Sequence, residues 1–172
     1  MRFINGLDQI FFNIAKLGML ICVFLTTANA AGRFLFNKPI TGAYEFTENY
    51  LMVIMVFLSL GITWKTREFI AVTFLSDKFP ENIKNIVYFL ILVLGIAFFS
   101  LIAYEGYLMT YEALIKKQTT SGIVQWPIYT SKMWVPLGSI MIVLRMLLEL
   151  VIGIKSIRKK GFKSDLFSDF NV

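Results

Sequence analysis

Histidine is absent from this chain, and cysteine occurs once, at Cys22. Without histidine there is no bis-His haem, no commonest transition-metal ligand and no usual proton shuttle near neutral pH. A single cysteine excludes an intrachain disulfide and a CxxC redox site. Set in an apolar run, Cys22 reads as a small packing residue. Charge is scarce as well: 16% of residues are charged and 57% are hydrophobic, where an average soluble domain has roughly a quarter charged. A soluble fold of 172 residues would need many more polar positions to cover its surface. The signatures GxSxG, HExxH, the P-loop and the Gly-rich dinucleotide turn are all missing. The chain reads as a non-enzyme that calls for no cofactor and no metal.

What is present is a set of uncharged runs. Leu17 to Gly32, Asn49 to Trp64 and Asn85 to Tyr104 are each bounded by charged residues, and Met133 to Gly153 is interrupted only by Arg145 and Glu149. A helix crosses the hydrocarbon core, about 30 Å thick, in about 20 residues. The first run is too short alone and must borrow residues on both sides, leaving Arg33 to snorkel. The pattern predicts an all-α integral membrane protein, a single domain over 1–172, with four transmembrane helices at 14–36, 46–65, 82–105 and 133–154. Phe3, Leu7, Ile10, Phe11 and Ile14 share one helical face, so 3–16 is expected as an amphipathic interfacial helix, lying on the inner surface or leading directly into the first span. A second interfacial helix is expected over 68–79, between helices 2 and 3, because that apolar stretch is too short to cross. No cleavable leader is apparent at the N-terminus, so the first span is expected to remain as an anchor.

An even number of spans puts both termini and the connection between helices 2 and 3 on one side. Eleven of the seventeen Lys and Arg residues fall on that side and five on the other, with Arg145 inside the fourth span. The lysine-rich side is the cytoplasmic one. The connection over 106–132 is then periplasmic, and 155–172 forms a basic cytoplasmic tail suited to anionic membrane lipids. The net charge of +6 is a topology signal and gives no reason to invoke nucleic acid. Aromatic placement agrees: Trp64 and Tyr88 fall at the inner interface, while Tyr44, Tyr104, Trp126, Tyr129 and Trp134 fall at or beyond the outer one. No internal repeat supports an inverted-repeat transporter core.

Charges at membrane depth are the first place to look for function. Arg145 lies about 18 Å into the fourth span, where insertion of Arg costs roughly 2.5–3.5 kcal/mol. Glu149 is one turn further on the same face. The two pair and snorkel to the inner headgroups, or this face packs on another polypeptide, or, as the least favoured reading, they belong to a transport site. No second span offers an obvious matching charge. In the first span Thr26, Thr27 and Asn29 accompany Ala28 and Gly32 in small-xxx-small spacing, which suits packing among the four helices or against a second subunit. Glu45 and Glu48 open the second span, where the helix dipole favours acids, and pairing with Arg33 would also fit. Thr27, Asn29, Arg33, Glu48, Arg145 and Glu149 are therefore the candidate structural or subunit-interface residues.

Several elements occur in a recognisable order. Gly32-Arg33 closes the first span, Tyr44-Glu45 and Glu48 open the second, and Gly61 and Arg67 mark its end. Ile70, Val72 and Leu75 lead to Pro80, Tyr104-Glu105-Gly106 closes the third span, and Trp126-Pro127-Ile128-Tyr129 precedes Trp134-Val135-Pro136-Leu137-Gly138. Over Gly32 to Gly138 the chain resembles the small membrane subunit of tripartite ATP-independent periplasmic (TRAP) transporters. Three departures stand out: Glu68-Phe69 replaces a frequent Gly-His pair, Thr73 stands where an acidic residue often follows it, and Tyr44 stands where Trp is common. The resemblance implies a large membrane permease subunit holding the substrate and Na⁺ sites. It also implies a periplasmic substrate-binding protein that delivers an organic acid: a dicarboxylate, sialic acid or other sugar acid. The small subunit would act as a scaffold in the bacterial inner membrane, with Lys116, Lys117, Trp126 and Tyr129 of the outer connection near the docking protein. A self-sufficient small homo-oligomeric transporter is the alternative.

Overall fold

The computed structural model describes residues 2–66, 81–122 and 124–160. The interfacial helix expected over 68–79 and the end of the tail beyond 160 lie outside them. Among the described residues the chain is helical, with no strand beyond one antiparallel bridge between Thr119 and Pro127. Four helices are long and apolar enough to cross a membrane: Ile4–Phe36, Ala43–Lys65, Ile86–Ile115 and Tyr129–Ile154.

Helix α1 runs unbroken over Arg2–Phe36, so the interfacial segment and the first span are one rod, about 52 Å long at 1.5 Å per residue. It stops where Asn37 takes a left-handed conformation (φ 51°), which Asn tolerates better than most residues. The Lys38 N–H donates back to the Gly32 carbonyl at 3.2 Å, and the Asn29 side-chain oxygen accepts from the Ile40 N–H at 2.8 Å. The next span is made of three pieces: α2 (Ala43–Phe46), a π-helical turn (Thr47–Leu51) and α3 (Met52–Lys65). A π-turn inserts a residue and frees backbone carbonyls that need other donors. Here Asn49 Nδ2 donates to the Glu45 carbonyl at 2.9 Å, and the Ser131 hydroxyl donates to the Asn49 carbonyl.

Helix α4 spans Glu81–Ile115, ten residues past the boundary expected at 105. It ends in a Schellman motif: Gln118 N–H to Ala113 carbonyl at 3.0 Å and Lys117 N–H to Leu114 carbonyl at 3.3 Å, with Lys117 left-handed at φ 46°. A left-handed L-residue costs roughly 1–2 kcal/mol. Lys117→Gly is accordingly expected to raise stability by about 0.5–1 kcal/mol after Gly's own entropy loss, read as a higher midpoint of thermal unfolding in detergent. A short helix α5 (Tyr129–Lys132) leads into α6 (Trp134–Lys160), where Pro136 occupies the first turn and its missing N–H is harmless.

Helix α3 packs between α1 and α6, and α6 carries α4 on its other side. Gly18 meets Met55, Gly61 meets Asp8, and Gly106 of α4 meets Pro136 of α6, which sets the up-and-down order of the helices. One end of the molecule therefore carries Lys65 and the start of α1, here the tail end. The other carries the 37–42 turn and the 116–128 connection, here the loop end. Leu92, Ile142 and Met146 form a buried core, with Leu60, Trp64 and Phe99 packed against it. The flanking helices leave their outward faces bare: Leu20, Phe24, Leu94, Phe98 and Leu101 are all exposed. An apolar surface this extensive would be an aggregation or interaction surface in water; in a bilayer it is the lipid-facing or partner-facing side.

Candidate functional site

At the tail end, two polar knots hold the helices together. Arg145 of α6 forms an ion pair with Asp8 of α1, and its guanidinium also donates to the Asn5 side-chain oxygen. The Asp8 side chain is 2% exposed and that of Arg145 14%. The pair is thus close to fully desolvated, and Coulomb attraction there is far stronger than at a wet surface. Gly61 makes room for it: a Cβ at that position would stand 2.7 Å from Asp8 Oδ1. One turn along α6, Glu149 accepts a hydrogen bond from Trp64 Nε1 at 2.6 Å and another from the Tyr88 hydroxyl.

The Arg145–Glu149 pairing that their spacing suggests is therefore replaced by two separate engagements. Arg145 reaches across to α1, while Glu149 ties α3 and α4 to α6. A matching buried charge does come from another span, and it is Asp8. Periodicity alone puts Asp8 and Asn5 on the wet side of an amphipathic helix. The signal that could have found them is their i, i+3 spacing on one face, opposite a small residue, Gly61, in the facing span. Trp64 and Tyr88, expected as interface anchors, in fact point their polar tips at a carboxylate.

At the loop end, Thr27, Asn29, Arg33 and Glu48 come together. All four line a cleft of about 910 Å³ between the end of α1 and the α2–π segment. Asn29 holds the 37–42 turn, whereas Arg33 and Glu48 are exposed. Among the described residues no ion pair joins Arg33 to Glu45 or Glu48, so the expected pairing across the turn is not made. The Glu45 carboxylate lies instead against Gly122 of the connection, where a Cβ would stand only 1.9 Å away. Gly32, expected in a helix-packing stripe, is needed by its own turn: a Cβ there would approach the Lys38 carbonyl at 3.0 Å.

The connection residues fall into two kinds. Lys116 pairs with Glu112 on the surface, which contributes little to stability, and Lys117 closes α4. Trp126 and Tyr129 are woven into the fold. The Trp126 ring lies 5.6 Å from that of Phe46 and 6.4 Å from that of Tyr50. The Tyr50 hydroxyl donates to the Pro127 carbonyl at 2.6 Å, and Thr130 Oγ1 donates to the same oxygen at 2.7 Å. Tyr129 is half-buried in α5. The connection is thereby fastened to the π-turn through the Tyr50 hydroxyl and the Asn49 carbonyl.

Among the described residues no group of three or more acidic, Cys or His side chains converges to hold a metal ion. Asp8 and Asn5 with Arg145, and Glu149 with Trp64 and Tyr88, bond to each other across spans, the arrangement of a polytopic helical membrane protein built on helix-to-helix fastening. Residues 22–156, well over half of the chain, match the family model described as tripartite ATP-independent periplasmic transporters, DctQ component. The chain belongs to this family and is the small permease component of a TRAP transporter. No curated protein matches it.

Proposed function

We propose that the chain is the scaffold subunit of a Na⁺-coupled, binding-protein-dependent importer of an organic acid, whether a dicarboxylate, sialic acid or another sugar acid. In this reading it lies in the bacterial inner membrane with both termini cytoplasmic. It stabilises the large permease subunit and extends the docking face for the periplasmic substrate-binding protein. The observation that carries the reading is the use of the membrane-depth charges. Asp8 and Arg145 engage each other, and Glu149 engages Trp64 and Tyr88. Groups tied down in this way fasten helices, and they are poorly placed to exchange protons or ions during transport. The bare apolar faces of α1 and α4 offer the area that a large membrane partner needs. In this reading Lys116 and Lys117, exposed where the connection leaves α4, meet the soluble protein, and Trp126 and Tyr129 anchor that connection.

Reconstitution tests it. Liposomes holding this chain with its large subunit, supplied with the binding protein and a Na⁺ gradient, are expected to accumulate the organic acid. Liposomes holding this chain alone are expected to accumulate none. Uptake by the chain alone would instead establish the self-sufficient homo-oligomeric transporter.

A further inference from the structure

The cleft at the loop end has features that helix packing does not explain. Arg33 and Glu48, of opposite charge, line it together without an ion pair or hydrogen bond of their own among the described residues. Thr47, also in its lining, is 6% exposed, and its Oγ1 is buried with no hydrogen-bond partner, a condition that buried hydroxyls ordinarily avoid. The remaining wall is mixed: Ala30, Ala43 and Met52 belong to its apolar part, beside Thr26, Thr27 and Asn29. Its volume of about 910 Å³ lies within the ~300–1,000 Å³ of pockets that take a small molecule.

Depth then selects the ligand. Trp64 sits at the other end of the same span as Tyr44, twenty residues and therefore about 30 Å away, the thickness of the hydrocarbon core. Tyr44 and Arg33 both line the cleft, so its charged rim lies where acyl chains give way to headgroups. We propose that the cleft binds one zwitterionic aminophospholipid, of the phosphatidylethanolamine type, from the leaflet at the loop end. The Arg33 guanidinium holds the phosphate, for which its fork of donors is suited. Glu48 accepts from the ammonium group. The apolar part of the wall takes the start of an acyl chain, and the Thr47 hydroxyl turns to the glycerol–ester region. A helix of another subunit would have to bring an acid and a base together at this depth and desolvate both, whereas this headgroup already carries both charges at the interface. The inference goes beyond the scaffold reading and does not depend on which acid is imported.

Native mass spectrometry of the full chain in its purified assembly tests the site, after detergent delipidation and incubation with phosphatidylethanolamine or phosphatidylglycerol. The wild type is expected to retain phosphatidylethanolamine in preference to phosphatidylglycerol. Arg33→Gln removes a charge-assisted contact and is expected to lower retention by about tenfold or more. Glu48→Gln is expected to erase the preference between the two lipids, a ratio measured within one sample and insensitive to how much protein folds. Ala30→Trp, which fills the cleft, is expected to abolish binding. Wild-type retention and preference in both Arg33→Gln and Glu48→Gln would overturn the proposal. So would a wild-type assembly holding no phosphatidylethanolamine, or an Ala30→Cys variant that cross-links to another polypeptide with no lipid bound.

Discussion

Replacing Asp8 by Ala is expected to cost about 3–5 kcal/mol of stability, because it leaves the Arg145 guanidinium buried without its counter-charge. The magnitude follows from burial. Asp8 is sealed beneath Gly61, and Arg145 is mostly covered, so water replaces little of the lost interaction. Asn5 alone would remain as an acceptor. The double variant Asp8→Leu with Arg145→Met tests the mechanism, since removing both charges removes the desolvation cost along with the attraction. It is expected to recover most of the loss, as buried ion pairs exchanged for apolar residues of similar volume often do. Thermal or denaturant unfolding in one fixed detergent reads both. An Asp8→Ala protein that unfolds like the wild type would mean that Arg145 reaches the headgroups by itself and that the ion pair contributes little.

The same pair shows where sequence reading succeeds and where it stops. Four spans are legible because a soluble fold seldom sustains an uncharged run of membrane length, and the helices that fulfil these runs are all present. Helix ends are less legible. The bound at Glu105 marks where the apolar run ends, whereas the helix continues past it: backbone hydrogen bonds pass through charged positions freely, and α4 ends only where Lys117 turns left-handed. Of the two forms open to 3–16, the continuous helix α1 is the one that leads directly into the first span: a change from amphipathic to fully apolar composition alters what the helix faces without breaking it. Arg145 and Glu149 stand at i, i+4, the spacing of a helix-surface pair, but in three dimensions each finds a better partner on a neighbouring helix. Which partner is chosen depends on how α1 crosses α3, and that geometry is set by glycines whose role shows only when the facing atoms are known.

The loop-end residues teach a related lesson. Thr27 and Asn29 stand out in the sequence as polar groups expected near mid-membrane in the first span, and Arg33 and Glu48 as charges at span ends. Their meeting in one cleft depends on the π-turn at Thr47–Leu51, which rotates the following residues relative to an ideal α-helix. No residue pattern announces a π-turn. It is maintained by tertiary bonds, notably those of Asn49 and Ser131, so neither the turn nor the cleft beside it was accessible from one-dimensional periodicity.

The second large effect is expected at Gly138. A Cβ built there stands 2.2 Å from the Phe57 carbonyl oxygen and 2.5 Å from its carbonyl carbon. Both are backbone atoms, so no side-chain rotation relieves the contact, and α3 and α6 must separate. Close approach through small residues is a main source of helix association in lipid, where apolar burial between helices contributes little. Separation would loosen Leu58 and Ile142, both almost fully buried, and pull Glu149 away from Trp64. Gly138→Ala is expected to cost about 1–3 kcal/mol, the usual range for overpacking a tight contact, and Gly138→Leu more. Gly6 and Gly153, with nothing within 4 Å of a built Cβ, provide the control: Ala at either is expected to be neutral or to stabilise by up to about 1 kcal/mol through helix propensity alone. Unfolding midpoints in detergent compare the three Ala variants. If Gly138→Ala behaved like Gly6→Ala, the tight contact between the two backbones would not be what holds α3 against α6.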